Sequence, residues 1–164
     1  YIETLIADNT IPFSHFDWKL DFPEILNPNL NNKPGFDIVI ANPPYMRIQE
    51  ITRVMALDKF IFEQKYSVAK SSYDLANIFF ELGINISSKD SSNCYIFPHK
   101  FFNSASTEIY RDYLTKGQFI NRIIHFGANM VFNDADTYTC ITHFNKKDKE
   151  SFDLLKIEAL IRTV

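Results

Sequence analysis

Four consecutive residues, Asn42-Pro43-Pro44-Tyr45, combine groups that can activate an amine. An Asn side-chain oxygen and the carbonyl oxygen of the next residue can both accept hydrogen bonds from one amino group. Such bonds draw the nitrogen towards tetrahedral geometry and localise its lone pair, which makes a planar exocyclic amine a better nucleophile. Proline fixes φ and so aims the Pro43 carbonyl, while Tyr45 offers a flat ring for stacking. The motif therefore predicts chemistry on the amino group of an aromatic base.

The residues around this motif predict its place in a sheet. Residues 36–41, FDIVIA, are nearly all apolar and rich in β-branched side chains, which is typical of a strand buried on both faces in a parallel sheet. Residues 27–35 are rich in Asn, Pro and Gly and predict a surface loop that leads into the strand. Neither Pro43 nor Pro44 has an amide hydrogen to donate, so the strand ends at the motif. Open α/β sheets bind ligands at the carboxyl ends of strands, where the motif lies.

Hydrophobic periodicity predicts a first helix and strand after the motif. The helix covers residues 73–87 with Ser72 or Asp74 as its cap, and a strand at 94–97 is ended by Pro98. Residues 87–93 between them predict a loop. The periodicity predicts that five residues of this helix face the core: Leu75, Ile78, Phe79, Leu82 and Ile86.

A second helix and two more strands complete the predicted order. The helix covers residues 103–116 and ends at Gly117, with an inward face of Ile109, Tyr110, Tyr113 and Leu114. Strands follow at 119–126 and 136–144. The residues between these strands are too few for a crossover helix, so an antiparallel pair is expected. The fold class predicted is α/β, with parallel strands, helices and a closing antiparallel hairpin.

Composition narrows the class of protein. With 164 residues, 46% of them hydrophobic, the chain predicts one folded domain. Cys94 and Cys140 have neither disulfide-framework nor zinc spacing, and the four histidines show no ligand spacing, so no metal is predicted. No apolar run reaches the roughly 20 residues of a membrane helix, and a cytoplasmic protein is expected. The net charge of −3 is unlike that of a domain that grips DNA by itself.

At this point the sequence resembles a known family, the amino-methylating DNA methyltransferases, and within it the adenine-specific (N6) enzymes that occur in fused type II restriction-modification polypeptides. The resemblance covers roughly Phe13 to Asn145. Besides FDIVIANPPY, it is carried by FDWKLDFPEIL, SSYDLANIFFELGINI, NCYIFPHKFFNSASTEIYRDYL and INRIIHFGANMVFNDADTYTCITHF. It implies the C-terminal half of a Rossmann-like sheet that uses S-adenosylmethionine. It also implies site-specific methylation of an adenine flipped out of double-stranded DNA, within a restriction-modification system.

The resemblance assigns roles to individual residues. Asn42, Pro43 and Tyr45 match the catalytic residues, and Tyr45 and Phe132 match the two aromatics that sandwich the flipped adenine. Pro44 and Phe79 match residues at the donor's pocket, although Phe79 also lies on an apolar helical stripe, where core packing is favoured. No glycine follows a strand in the manner of the family's donor-binding loop.

The resemblance also predicts how the chain is organised. Residues 1–145 are expected to be a partial catalytic domain and 146–164 the start of a linker towards a target-recognition region. The chain begins with Tyr1 and is expected to be a piece of a longer polypeptide, inactive in isolation. Asp21 is interpreted as a solvated acid in preference to a donor contact. Arg47 and Lys100 are interpreted equally well as phosphate contacts and as surface charges.

Two other functions remain open from the sequence. The motif also serves methyltransferases that act on glutamine side chains of proteins or on guanine in RNA. Alternatively, the chain is a non-catalytic fragment that self-associates into a homo-oligomer through an exposed sheet edge.

Overall fold

The computed structural model describes residues 16–54, 56–132 and 137–158, and the chain divides into two units after Pro34. In the first unit the described residues form two short helices, α1 (Trp18–Asp21) and α2 (Pro23–Leu26). Asp17 caps α1, because its side chain accepts from the amides of Lys19 and Leu20. The Asp21 carboxylate accepts from the Asp17 amide at 2.7 Å and is exposed, as the sequence predicted for a solvated acid.

The second unit is built on a five-stranded sheet of order β1-β2-β4-β3-β5. Its strands are β1 (Phe36–Ala41), β2 (Ser87–Pro98), β3 (Ile120–His125), β4 (Thr139–Phe144) and β5 (Asp153–Lys156). β1 pairs parallel with β2, and β3 with β5, whereas β4 is antiparallel to both β2 and β3. The predicted α/β fold with a closing antiparallel hairpin is confirmed. The carboxyl ends of β1, β2 and β3 therefore share one edge with the amino end of β4.

Helices pack against the sheet and enclose the core. They are α3 (Ile48–Val54), α4 (Ala56–Lys65), α5 (Leu75–Ile86) and α6 (Glu108–Gly117), with 3-10 turns at His99–Phe102 and Ala105–Thr107. Phe80 of α5 lies at the centre, fully buried, with its ring 4.2 Å from that of Phe144 and 5.7 Å from that of Tyr110. The α5 carboxylate of Glu81 accepts from the amides of Ser67 and Val68, both at 3.0 Å, and so ties the segment after α4 to α5.

The predicted inward faces are partly wrong. α5 is buried around most of its circumference, so Phe80 reaches the sheet while Phe79 and Leu82 remain half-buried. In α6, Tyr110 and Leu114 are buried as predicted, but Ile109 is 38% exposed. α6 ends at Gly117 as expected, although the residue in the left-handed conformation is Gln118, with φ of 49°.

β1 is not buried on both faces as predicted. Ile38 and Ile40 are 66% and 76% exposed, whereas Val39 and Ala41 pack against the core. The reason is that β1 is an edge strand of the sheet that the structure describes. The described core lies only on the face to which Val39 and Ala41 point. A pattern of apolar residues shows which side chains are able to be buried, but not whether a partner covers them.

β2 is longer than predicted, because residues 87–93 belong to it and do not form a loop. Phe36 pairs with Ser87 and Ile38 with Ser92, so the intervening residues bulge out of the ladder. Gly35 makes the start of this pairing possible: its φ is +120°, and a Cβ there would lie 2.3 Å from the Ser87 backbone.

β5 lies within the stretch predicted to begin a linker. It pairs with β3, and a hydrogen-bonded ion pair joins Arg122 to Asp153 at 2.7 Å. Its exposed leucines, Leu154 and Leu155, form the other edge of the described sheet. Where a linker begins stays a prediction. No helix among the described residues has the length and apolar character needed to span a membrane.

The exposed isoleucines of β1 lead us to expect self-association of the 164-residue chain. Packing of the exposed face of β1 against the same face of a second copy would bury these side chains, each worth about 1.5–3 kcal/mol when fully buried. The double substitution Ile38→Thr with Ile40→Thr keeps β-branched side chains and is expected to weaken association at least tenfold, measured by sedimentation.

Leu20→Thr is the matched control, because Leu20 is 80% exposed on α1, outside the sheet. This substitution should leave the sedimentation behaviour unchanged. A monomeric unaltered chain at all concentrations would contradict the expectation.

Candidate active site

The segment after β1 is tied firmly to the start of α5. The Leu75 amide donates to the Met46 carbonyl at 2.8 Å, and the Ile48 amide donates to the Tyr73 carbonyl at 3.0 Å. Arg47 and Asp74 form an antiparallel β-bridge between these two bonds. The loop that carries the motif is thus held at one end by the sheet and at the other by a helix terminus. Such support limits the conformations that the motif can adopt.

Within the motif, a hydrogen bond joins the two residues predicted to act on an amine and its base. The Tyr45 hydroxyl lies 2.9 Å from Asn42 Oδ1 and 3.3 Å from the Ile96 carbonyl oxygen, so it can donate to either. Asn42 and Pro44 are exposed, Pro43 is buried and Tyr45 is half-buried. The bond fixes which way the Asn42 amide faces. An amide oxygen has two lone pairs, so one acceptor position remains after the tyrosine bond.

The ionisation of Tyr45 favours this arrangement. Burial, with a smaller contribution from the Cys140 thiol, raises the pKa of Tyr45 to about 12. The hydroxyl is therefore protonated at neutral pH and remains a donor. Of the two acceptors within its reach, Asn42 Oδ1 is the nearer, at 2.9 Å against 3.3 Å for the Ile96 carbonyl oxygen.

The contacts in the structure tie the other predicted site residues less closely to the motif. Phe132 follows the turn after β3 and is 37% exposed, so its ring is accessible. Phe79 lies on α5, half-buried and packed against the core, and its carbonyl oxygen accepts from the Tyr95 hydroxyl at 3.4 Å. The packing favours the core role for Phe79. Its role at a donor site, like the role of Phe132, stays a prediction.

The two cations near the predicted cleft have different surroundings. Lys100 Nζ lies 2.7 Å from Asp74 Oδ2, and this carboxylate is 9% exposed. The lysine charge is therefore balanced by a carboxylate at the start of α5. Arg47 is exposed next to the motif.

A stack of three aromatic side chains was not predicted. His99 lies 4.6 Å from His125 with 10° between the rings, and 5.5 Å from Tyr138 with 20° between the rings. These residues follow β2, end β3 and precede β4. The rings meet because β4 lies between β2 and β3, an order that local sequence patterns do not reveal. Among the described residues, no group of three or more His, Cys, Asp or Glu could hold a metal ion.

A cavity of about 330 Å³ lies away from the motif. Its apolar lining comes from α6, β3 and the segment before β5, and includes Phe101, Leu114, Ile123 and Phe152. Arg111 also lines it, but its Nη1 already donates to the carbonyls of Phe101 and Ser104. Lys149, the other cation of the wall, donates to the Phe119 carbonyl and to Asn145 Oδ1. With both cations engaged and no motif residue in its wall, this cavity is not the candidate active site.

Comparison with known families identifies the class to which this architecture belongs. The model of the Eco57I restriction-modification methylase family matches residues 2–132. The chain belongs to this family. A relative from Escherichia coli, the type II restriction enzyme and methyltransferase RM.Eco57I, is 28% identical over 123 residues. That match covers 75% of this chain but only 12% of the relative, so the chain corresponds to a small part of it.

Solved structures show the same fold. The type IIL restriction-modification enzyme MmeI, solved in complex with DNA, superposes with a TM-score of 0.60 at 15% identity, over 85% of this chain and 18% of that one. A Listeria monocytogenes structure assigned to the class I S-adenosylmethionine-dependent methyltransferases gives 0.57 at 15% identity, over 76% and 38%. The resemblance to restriction-modification methyltransferases, and the fold it implies, are confirmed.

The histidine stack generates a prediction for stability against pH. Burial, and then the neighbouring His125, lower the pKa of His99 below its usual 6.5. Between the lowered pKa and 6.5 the unfolded chain binds more protons than the folded chain, so stability falls as pH is lowered through this window. His99→Phe keeps a stacked ring without a titrating group. It is expected to flatten the decline in unfolding free energy between pH 7.5 and 5, measured by urea denaturation.

A part of the decline should remain in that variant. Burial, and then Lys149 and Arg122, also lower the pKa of His143. The combined variant with His143→Gln serves as the second arm and should flatten the profile further. An unchanged slope in His99→Phe would show that His99 is not held neutral by the fold.

Proposed function

We propose that this chain carries the catalytic part of a site-specific DNA adenine N6-methyltransferase of a restriction-modification system. The observation that carries the proposal is the hydrogen bond from Tyr45 to Asn42, which sets an exposed amide oxygen at the carboxyl end of β1. Membership of the family and the printed activity of its Escherichia coli relative, a restriction enzyme and methyltransferase, support it. The match to an enzyme solved with DNA supports DNA as the partner.

The proposed chemistry begins with the amino group of an adenine turned out of the duplex. Asn42 Oδ1 and the Pro43 carbonyl oxygen accept its two hydrogens, and the N6 lone pair is thereby localised. S-adenosylmethionine, when bound, supplies an electrophilic methyl group. With the donor bound, the N6 lone pair would form the new N–C bond as the sulfur–methyl bond of the donor breaks and the neutral thioether leaves. The two oxygens would stabilise the positive charge on N6 until one N6 proton passes to water. Fixed positions of the acceptors account for much of the acceleration, because no reorganisation is needed.

Aromatic rings hold the base in this proposal. The half-buried ring of Tyr45 stacks on one face of the adenine and Phe132 on the other. Stacking is worth about 1–3 kcal/mol per base, which is comparable to the few kcal/mol that unstacking from the duplex costs. Eversion of the base is therefore feasible only if both rings contribute.

The residues described here fit one wall of a donor site. Pro44 is an exposed ring directly beside the catalytic oxygen, and Phe79 is a half-buried ring on α5. We propose that both contact the donor through apolar surface. With a net charge of −3, the chain is also expected to leave most phosphate contacts of the DNA to other parts of the enzyme.

Methylation of protein glutamine or RNA guanine is the nearest alternative, because those substrates also present a planar amine. The exposed Phe132 favours a base over a glutamine side chain. Plasmid DNA, ribosomal RNA and a release factor, offered in parallel to the complete natural polypeptide, separate the substrates. The non-catalytic, self-associating alternative is favoured by the exposed Ile38 and Ile40.

Asn42→Ala in the complete natural polypeptide is expected to lower DNA methylation at least about 10²-fold, because one of the two acceptors is removed. N6-methyladenine in plasmid DNA, measured by mass spectrometry, gives the activity, and equilibrium dialysis gives donor binding, which should be retained. Asn29→Ala is the control, since Asn29 is exposed in the first unit. Full activity of Asn42→Ala would overturn the proposal.

Two substitutions of Tyr45 are expected to separate the contribution of its hydroxyl group from that of its ring. Tyr45→Phe keeps the ring but loses the bond to Asn42, worth roughly 0.5–1.5 kcal/mol, so kcat should fall about two- to tenfold. Tyr45→Ala also loses stacking and should lose at least a further tenfold in kcat/KM. Tyr66→Phe, which changes a tyrosine outside the motif, is the control. Equal kinetics for Tyr45→Phe and the unaltered enzyme would show that the hydroxyl does not position Asn42.

A further inference from the structure

The stack of Tyr138, His99 and His125 lies at the edge of the sheet where the motif lies. His125 is the last residue of β3, His99 follows the last residue of β2, and Tyr138 directly precedes β4. The backbone fixes these positions, because the His99 amide donates to the Tyr138 carbonyl at 3.0 Å. Three neighbouring strands thus deliver one near-parallel stack of rings.

The stack is close to the catalytic loop along β2. Ala41 pairs with Tyr95, and the Tyr45 hydroxyl reaches the Ile96 carbonyl oxygen at 3.3 Å. His99 comes three residues after Ile96, which at about 3.3 Å per residue corresponds to about 10 Å. Base pairs are spaced about 3.4 Å apart along a DNA strand. The stack is therefore within about three base positions of a base held at Tyr45.

The rings of the stack differ in exposure. His99 and His125 are half-buried, whereas Tyr138 is 45% exposed. His99 lies between the other two rings, since each of them stacks on it. One face of the Tyr138 ring is therefore covered by His99, and the accessible surface is at the outer end of the stack.

The chemistry of the stack suits a base better than a phosphate. Two imidazolium rings face to face at 4.6 Å would repel each other, and the buried His99 Nδ1 has no hydrogen-bond partner among the described residues. Both observations favour an uncharged His99, in agreement with its lowered pKa. Lys100, the cation nearest in sequence to His99, pairs with Asp74. An uncharged π surface attracts another π surface, and every base has one.

We propose that the outer face of the Tyr138 ring is a stacking site for a second nucleobase, the adjacent base, which lies within about three positions of the everted adenine. The inference rests on the proposed function and adds a contact to it. The role of His99 and His125 is to position Tyr138: they hold its ring in place before the DNA arrives, so little side-chain freedom is lost on binding. The site accepts any base, because stacking does not read hydrogen-bonding edges.

The test uses the complete natural polypeptide and DNA that carries the fluorescent base 2-aminopurine, either at the target adenine or, in a series of duplexes, at each position within three of it. The adjacent position is the one in this series whose fluorescence changes on binding. In Tyr138→Leu the KM for DNA should rise about tenfold or more, with a change in kcat of less than threefold. The fluorescence change on binding should shrink at the adjacent position and persist at the target. Tyr138→Phe, which keeps the ring, should behave as the unaltered enzyme.

Phe132→Leu is the contrasting variant, since it should alter the signal at the target position. Tyr138→Leu with unaltered KM and unaltered fluorescence at the adjacent position would overturn the inference. A loss of signal only at the target would overturn it as well, because Tyr138 would then hold the everted adenine itself. Failure of the proposed function is seen separately, as an active Asn42→Ala enzyme, and leaves these two readouts unaffected.

Discussion

Asp74 is the residue on which the arrangement of the site depends most. Its backbone forms the bridge to Arg47 that fixes the loop after β1, and at the N-cap of α5 its amide donates to Asn77 Oδ1 at 2.8 Å. Its carboxylate pairs with Lys100, just after β2. A carboxylate is favoured at a helix N-terminus by the helix dipole, and a largely buried one needs a partner. One residue, through its backbone and its side chain together, therefore joins the loop after β1, the start of α5 and the turn after β2.

These contacts explain how the side chains of a short motif can be held in one orientation without a large pocket around them. The Asn42 oxygen is oriented by Tyr45, Tyr45 is placed by the loop, and the loop is fixed by its backbone bonds to α5. The core beneath consists of aromatic rings packed around Phe80, with Tyr95 and Phe144 at 4.9 Å from each other. Close packing resists small displacements of the core. The loop that is bonded to this core therefore holds the oxygen of the exposed Asn42 in a fixed position.

The elements closest to the motif could be predicted from the sequence, since their signals are local. The run FDIVIA predicts a strand, and the two prolines of the motif predict where it ends. Asp74 precedes a segment with apolar residues at helical spacing, and this pattern predicts a helix with an N-terminal cap. β5 could not be predicted, because DLLK is short and is held by β3 and by the pairing of Arg122 with Asp153. Hydrophobic periodicity is weak in α3 and α4, and for that reason these two helices were not predicted. The ring stack was missed because residues 99, 125 and 138 meet only through the strand order.

The electrostatics of the described site favour a neutral aromatic group over a phosphate. A pKa of about 12 keeps Tyr45 uncharged, burial and His125 favour the neutral form of His99, and Asp74 balances the charge of Lys100. A phosphodiester brought to the rings of Tyr45 and His99 would lose hydration, and the exposed cations at this edge, Arg47 and Lys156, are not part of that ring surface. A base loses little hydration from its faces and gains dispersion contacts with the rings. This difference supports the proposal that a base, and not its phosphate, contacts the rings at this edge.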